Sequence, residues 1–374
     1  MAGLYIHIPF CKQACHYCDF HFSTNQGTKT ILAQAIASEL KLQSDYLRGE
    51  LIETIYFGGG TPSLLSDKEL EIIFSAIYTN FQLATAPEIT LEANPDDLTR
   101  QKLVELKSMG VNRLSIGIQS FDDTVLTFFN RAHSATEALQ CVALSREVGF
   151  DNLSLDLIYS IPGQDLTGWK KNIEQAISLQ PEHISAYSLT VEDKTVFGHR
   201  QKKGTLKPLE ERESIENFEV LIDSLVLAGF EQYEISNFCK PGYYSKHNSS
   251  YWKQKKYLGV GPSAHSYNFE SRQSNISNNS QYTKSINSGT VPCEIEILNK
   301  ENKINEYIFT TLRTQWGCDI EYLKKELGYD LLQSKVLKML LEKQFINLEN
   351  KVLTLTRSGK FLADQIALDL FVLS

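Results

Sequence analysis

The stretch LYIHIPFCKQACHYCDF, residues 4–20, joins a short apolar, β-branched run to a cluster of cysteines. The run has the composition of a buried strand, and Cys11, Cys15 and Cys18 follow it with CxxxCxxC spacing. The other four of the seven cysteines are scattered singly along the chain. In a reducing compartment, clustered thiols indicate a metal site and scattered ones indicate packing. The sequence therefore predicts a metal centre just after the first strand.

The spacing of the three cysteines favours a particular kind of centre. Three thiolates on one short loop can bind three irons of a cubane 4Fe-4S cluster and leave the fourth iron open to an outside ligand. The alternative is a zinc site completed by His16 or His21. Zinc sites usually use two separated cysteine pairs, so the compact triplet favours the cluster.

Five further apolar runs follow the first one and alternate with helical patterns, which predicts βαβ units and a parallel sheet. The six predicted strands cover residues 4–9, 54–57, 88–93, 113–119, 152–159 and 183–190. The predicted helix caps are Ser66 with Glu69, Ser134 with Glu137, Thr99, Thr167, Gly110 and Gly149. Six units are too few for an eight-stranded barrel, so the pattern indicates a partial, open barrel or a doubly wound sheet.

Polar residues recur at or near the ends of these predicted strands. Both candidate architectures place their chemistry at the carboxyl ends of strands, so these residues are candidates for one common site. They are Cys11, the turn from Gly58 to Thr61, Glu92, Gln119 and Asp156.

Composition and charge narrow the classes of function. The 374 residues are 42% apolar and 22% charged, as in ordinary globular proteins, and the net charge of −8 disfavours a nucleic-acid partner. The sequence has no apolar run of the roughly 18 residues that a membrane span needs, and no export signal at its start. We therefore expect a cytoplasmic protein without a transmembrane segment.

The chain divides into three predicted segments. Residues 1–205 carry the strand–helix units, and residues 206–298 form a loop-rich segment that completes the barrel. Residues 299–374 show three helical patterns, two short strands and a final helix, which is typical of a winged helix. Its candidate recognition helix, residues 331–343, is only mildly basic, so we expect a structural or protein-binding role.

Several motifs together resemble the coproporphyrinogen dehydrogenase-like branch of the radical S-adenosylmethionine (SAM) superfamily. Besides residues 4–20, they are FGGGTPS (57–63), LEANP (91–95), SIGIQSF (115–121), NRAHS (130–134) and LDLIYSIPGQ (155–164). The resemblance implies an α/β fold with a partial (β/α)6 barrel, a 4Fe-4S cluster on Cys11, Cys15 and Cys18, and SAM on the open iron. The residues that it implies for SAM binding are Tyr5, Tyr17, Gly59, Gly60, Thr61, Glu92, Gln119, Arg131 and Asp156.

Two departures separate this chain from the dehydrogenases themselves. Those enzymes resemble CxxxCxxCxC, whereas this chain has Phe20 at the last position, and it begins four residues before Tyr5, without their N-terminal extension. The form CxxxCxxCxF, together with HNSSYW at residues 247–252, instead resembles the heme chaperones of the branch. This resemblance implies heme as cargo and heme-accepting proteins as partners, with respiratory proteins among the candidates.

The HNSSYW segment also suggests where heme binds. Imidazole is a standard axial ligand of heme iron, and the neighbouring Tyr251 and Trp252 offer flat apolar surface to a porphyrin. His247 is therefore the predicted heme ligand, with His265 as the alternative. Two other functions stay open at this point: oxidative decarboxylation of coproporphyrinogen III, and a zinc-stabilised winged-helix regulator.

Overall fold

The structure is a computed structural model that describes residues 1–372. Its central feature is a twelve-stranded sheet in which the first six strands are parallel neighbours in chain order. They are β1 (Ala2–Ile8), β2 (Ile52–Gly59), β3 (Leu83–Ala93), β4 (Arg113–Gln119), β5 (Leu153–Tyr159) and β6 (His183–Ser188). The six predicted strands are confirmed, although the sixth ends at Ser188 rather than at residue 190.

Helices make every crossover between these parallel strands, as parallel pairing requires. They are α1 (Lys29–Leu42), α2 (Asp67–Asn80), α3 (Arg100–Ser108), α4 (Asp123–Phe129), α5 (Ala135–Val148) and α6 (Leu166–Ser178). The capping boxes at Ser66 and Ser134 are confirmed, because each serine accepts the N–H of the glutamate three residues on. The predicted cap at Thr167 is wrong, since the Asp165 carboxylate accepts the Gly168 N–H and begins α6.

The chain after β6 adds strands to both edges of the sheet. Its elements are α7 (Val196–Lys202), α8 (Glu211–Leu227), β7 (Glu231–Glu234), β8 (Asn237–Cys239), α9 (Lys246–Trp252), β9 (Tyr257–Val260), β10 (His265–Tyr267), β11 (Ser271–Asn275), α10 (Asn279–Asn287) and β12 (Cys293–Ile297). Strand β8 pairs antiparallel with β6, whereas β9 pairs parallel with β1. The sheet ends at β12 on one side and β7 on the other, so it is an open sheet.

The C-terminal part has its own three-stranded sheet and its own apolar core. Its elements are α11 (Lys300–Leu312), β13 (Cys318–Asp319), α12 (Ile320–Lys325), α13 (Lys335–Glu342), β14 (Ile346–Glu349), β15 (Val352–Leu355), α14 (Arg357–Lys360) and α15 (Ala363–Asp369). The predicted helix over residues 331–343 is shorter, because Leu331–Gln333 forms a 3-10 helix before α13. Arg357 pairs with Asp223 on α8 and ties this part to the sheet domain.

Strand alternation decides where the polar residues go. On β1, Leu4, Ile6 and Ile8 are buried in the core between sheet and helices. Side chains two residues apart share a face, so Tyr5 and His7 lie on the opposite, inner face of the sheet. No helix within residues 1–372 is long and apolar enough to cross a membrane.

Candidate cofactor site

A cavity of about 670 Å³ lies at the carboxyl ends of the parallel strands. It brings together eleven of the predicted site residues from five different strand ends and loops. They are Cys11, Cys15, Cys18, Tyr17, Gly59, Gly60, Thr61, Glu92, Gln119, Arg131 and Asp156. Tyr5 and His247, the other two predicted residues, do not line it.

The cysteine loop lies between β1 and α1 and is held by hydrogen bonds to the end of α4. Gln13 Nε2 donates to the Asn130 carbonyl at 2.8 Å, and Asn130 Nδ2 donates to the Ala14 carbonyl at 2.8 Å. Asn130 makes this bond from a left-handed backbone, with a φ of 58°. These contacts fix the loop independently of any bound group, so the three half-buried thiols have a preformed place on the cavity wall.

The side chains around the three thiols distinguish between a zinc site and a 4Fe-4S cluster. Within residues 1–372, no three His, Cys, Asp or Glu side chains are grouped closely enough to hold one metal ion. His16 Nδ1 lies 2.9 Å from the Phe128 carbonyl, and His21 Nε2 lies 2.8 Å from Asn279 Oδ1. Neither histidine completes a zinc site with the cysteines. A cubane takes each thiolate on a different iron, so three separated thiols on one wall fit it better.

The glycine turn after β2 packs directly on the cysteine loop. The Gly60 N–H donates to the Ile8 carbonyl at 2.8 Å. A methyl group at Gly60 would lie 2.7 Å from the Phe10 carbonyl oxygen, and Gly59 has a φ of 109°, which favours glycine. Thr61 Oγ1 lies 3.6 Å from Cys11 Sγ. Only a turn of small residues can approach the loop this closely.

Two carboxyl groups face the cavity from neighbouring parts of the sheet. Glu92 accepts hydrogen bonds from Tyr56 Oη at 2.8 Å and from the Gly59 N–H at 3.1 Å. Asp156 accepts from Ser115 Oγ at 3.1 Å. Burial raises the pKa of Glu92 to about 7 and the pKa of Asp156 to about 6. Each carboxylate is thus an acceptor that a bound cation would stabilise in its charged form.

The raised pKa of Glu92 predicts a pH dependence of stability. The pKa of Glu92 lies above the ordinary value of 4.5. The protonated carboxyl therefore stabilises the folded protein fully below pH 4.5, and this stabilisation is lost as pH rises through about 7. We expect the Glu92 contribution to the free energy of unfolding of the ligand-free protein to fall from about pH 5 to about pH 8, so the stability advantage of the unsubstituted protein over Glu92→Gln should shrink over this range. Denaturant unfolding at a series of pH values measures it.

The control for this pH series is Glu71→Gln, which neutralises an exposed carboxyl on α2. It should leave the pH dependence as in the unsubstituted protein. Asp156 titrates in the same direction but is present in both proteins, so its contribution cancels in the difference between them. Equal slopes in Glu92→Gln and Glu71→Gln would contradict the assignment.

Arg131 does not pair with Asp156 but spans the cavity wall toward the cysteine loop. Its guanidinium donates to Asn94 Oδ1 at 2.5 Å and to the Gly117 carbonyl at 2.8 Å. A third contact, at 3.5 Å, is with Cys15 Sγ. The cationic head therefore lies beside the thiols, where it offsets the negative charge that bound thiolates would carry.

The structure places Tyr5 and His247 away from the cavity. Tyr5 Oη lies 3.2 Å from His7 Nδ1, and its ring stacks on Tyr56 rather than facing a ligand. His247 is 1% exposed, and both of its ring nitrogens lie within hydrogen-bond distance of protein groups. In this arrangement the imidazole has no nitrogen free for iron, and the role of His247 as heme ligand stays a prediction. His265 is exposed on β10.

Sequence reasoning missed several residues that line the cavity. They are Tyr56, Asn94, Ser185, Tyr187 and Asn248. Four of them lie on or just after strands at inner-face positions, so strict alternation from the predicted residues would have found them. Asn248 comes from the HNSSYW segment on α9, and no local signal places that helix inside the sheet.

Comparison with known proteins agrees with this geometry. The sequence pattern of the Radical SAM superfamily matches residues 5–176, and that of the HemN C-terminal domain matches residues 298–362. Among solved structures, coproporphyrinogen III oxidase (HemN) from Escherichia coli, a radical SAM enzyme, has a TM-score of 0.85 and covers 99% of this chain and 90% of its own. At 20% identity, this likeness establishes the fold alone. The expected partial-barrel fold is confirmed.

Sequence relatives are more specific. Heme chaperone HemW of Bacillus subtilis is 37% identical over 372 residues, which are 98% of this chain and 98% of the relative. Heme chaperone HemW of Lactococcus lactis is 35% identical over 97% of both chains, and that of Escherichia coli is 38% identical over 70% of this chain and 69% of its own. The chain therefore belongs to the HemW family within the radical SAM superfamily.

Proposed function

We propose that this protein is a heme chaperone that holds a 4Fe-4S cluster and SAM in the cavity and delivers heme to heme-requiring proteins. The observation that carries the cofactor part is that three thiols, a glycine turn and a buried carboxyl line one cavity. The heme part rests on family membership, since similar proteins over nearly the whole chain are heme chaperones. The proposal also includes a cytoplasmic location and three segments, which cover residues 1–205, 206–298 and 299–374.

The proposal gives each cavity residue a role. Cys11, Cys15 and Cys18 would hold the cluster as thiolates, and the chemistry that such a cluster would supply is one-electron reduction. Gly59 and Gly60 let the backbone approach the methionine end of SAM, while Glu92 accepts its ammonium hydrogens. The remaining predicted residues, Tyr17, Thr61, Gln119, Arg131 and Asp156, orient the cofactor and exclude water.

The charges around the cavity favour a chaperone over the decarboxylation of coproporphyrinogen III. Such a substrate carries several propionates, which need free cations for binding. Both cations that line the cavity are engaged: Lys12 pairs with Asp96 and Asp97, and Arg131 is bound to neutral acceptors and Cys15. The cavity therefore offers little attraction to a polyanionic porphyrinogen.

The lack of free cations in the cavity also favours a heme site outside it. Heme also carries propionates, and His247 has no free nitrogen. His265 is exposed, and desolvation together with the nearby Arg272 lowers its pKa, which keeps the imidazole in its neutral, iron-binding form. We therefore propose His265 as the heme ligand in place of His247.

Heme titration tests this assignment. We expect His265→Ala to weaken heme binding roughly tenfold or to shift the Soret band, because it removes the axial ligand. The measurement is an anaerobic absorbance titration of the reconstituted protein. His199→Ala removes another exposed histidine, on α7, and should titrate as the unsubstituted protein does. An unchanged spectrum and affinity in His265→Ala would reject this ligand.

A further inference from the structure

The HNSSYW segment forms the short helix α9, which packs against β1 and β2. Its first turn is capped from the sheet, because the Glu88 carboxylate accepts the N–H groups of Lys246 and His247 at 3.1 and 3.0 Å. A methyl group at Gly3 on β1 would lie 3.3 Å from the His247 ring and 2.8 Å from Thr54 Oγ1. Because Gly3 has no side chain, the His247 imidazole can pack against β1.

The imidazole of His247 is fixed on three sides. Nδ1 lies 2.8 Å from Thr54 Oγ1 and Nε2 lies 2.7 Å from Tyr251 Oη, both within hydrogen-bond distance. Its ring stacks on Tyr56, with centroids 5.0 Å apart and an interplanar angle of 25°. Rotation of the imidazole would break its contacts with Thr54 and Tyr251, so the same face of the ring stays against Tyr56.

Tyr56 connects this face to the cavity. Its hydroxyl donates to Glu92 Oε1 at 2.8 Å, and Glu92 Oε2 accepts the Gly59 N–H at 3.1 Å. A side chain at Gly58 would come within 2.9–3.1 Å of Tyr56, Tyr5 and Glu92, so little space is left for other arrangements. A continuous set of contacts therefore runs from α9 through Tyr56 and Glu92 to the glycine turn.

We infer that His247 is a positioning residue for the SAM site, which acts through Tyr56 to hold Glu92 against the glycine turn. The inference rests on the proposed function, because it takes Glu92 as the acceptor for the SAM ammonium group. It gives the HNSSYW segment a task other than heme coordination. If His247 moved out of the sheet to bind iron, Tyr56 would lose its stacking partner and the hydrogen bond to Glu92 would be disturbed. His247 can therefore position Glu92 only while it stays buried.

A double-mutant cycle on SAM affinity tests this coupling. His247→Ala and Tyr56→Phe should each weaken SAM binding about tenfold, because Tyr56→Phe removes the hydroxyl that donates to Glu92 and His247→Ala removes the ring that holds Tyr56 in place. The double variant should lose little more than either single one, since both changes break the same connection. His247→Phe keeps a stacking ring and should recover most of the affinity. Equilibrium dialysis against the anaerobically reconstituted full chain measures all four variants.

A second measurement needs no bound cofactor. In the protein without SAM, amide hydrogen exchange at Gly59 should become roughly tenfold faster in His247→Ala, because Glu92 no longer holds its N–H in place. The control is His199→Ala, which removes an exposed histidine on α7. It should leave exchange at Gly59 nearly unchanged.

The outcomes separate the inference from the proposed function. Unchanged SAM affinity and unchanged Gly59 exchange in His247→Ala would overturn the inference, and so would additive losses in the double variant or a shifted Soret band in the heme complex of His247→Ala. If the unsubstituted protein binds no SAM while His247→Ala still accelerates Gly59 exchange, the proposed function fails and the positioning of Glu92 by His247 stands.

Discussion

Replacing Cys15 with alanine will leave the protein unable to hold an iron–sulfur cluster. Three thiolates are the minimum protein ligand set for the cubane, and Cys15 also receives the Arg131 guanidinium at 3.5 Å. After anaerobic reconstitution we expect iron and sulfide to fall to background and the visible absorbance of the cluster to vanish. Iron and sulfide assays together with the absorbance spectrum measure this.

The fold should survive this substitution. Cys15 lies in a loop that is held by its neighbours, through Gln13 and the Ala14 carbonyl, and not in the apolar core. Circular dichroism and the free energy of unfolding should therefore stay close to those of the unsubstituted protein. Cys293→Ala, which removes a half-buried cysteine outside the cavity, is the control and should retain the cluster. Full iron content in Cys15→Ala would refute the assigned ligand set.

Replacing Gly60 with alanine will disrupt the site by geometry alone. The added methyl group would lie 2.7 Å from the Phe10 carbonyl oxygen and 2.9 Å from the Ile8 carbonyl oxygen. Both atoms belong to the backbone that leads into the cysteine loop, so they cannot swing away as a side chain could. Overpacking of this kind costs roughly 1–3 kcal/mol, and we expect SAM affinity to fall roughly tenfold or more. Equilibrium dialysis measures the affinity, and iron content reports on the loop.

Gly168→Ala is the matched control for this prediction. Gly168 lies in the first turn of α6, and its added methyl group would meet only the side chains of Asp165 and Gln164, at 3.3 Å. This variant should bind SAM and iron as the unsubstituted protein does. If Gly60→Ala also keeps full SAM affinity, the glycine turn is not part of the binding site.

The part of the cavity that the strands carry could be predicted from the sequence because its residues come from regular elements, whereas loop residues such as Tyr17 and Arg131 are implied only by the family resemblance. Once β1 to β6 are recognised, parallel pairing brings their carboxyl ends to one edge, and residues such as Glu92 and Asp156 meet there. Strand alternation adds further inner-face residues to the wall, including Tyr56 on β2. Local pattern and one topological rule therefore suffice for the strand residues of the cavity.

The position of α9 could not be predicted in the same way. Its sequence lies in a predicted loop-rich segment, and the prediction of His247 as heme ligand rests on the motif and on the chemistry of imidazole, neither of which locates the helix. What draws the helix inward is tertiary: the space left by Gly3 and the cap supplied by Glu88, which are distant in the sequence. Composition within the segment carries no information about either partner.

The most direct test of the central claim compares two ligands on one preparation. The anaerobically reconstituted protein is titrated with heme and, in parallel, incubated with coproporphyrinogen III, SAM and a reductant. We expect stable heme binding and no decarboxylated product, because both cations that line the cavity, Lys12 and Arg131, are already engaged by protein groups. Formation of protoporphyrinogen IX would contradict it and would make the protein an enzyme of porphyrin synthesis despite Phe20.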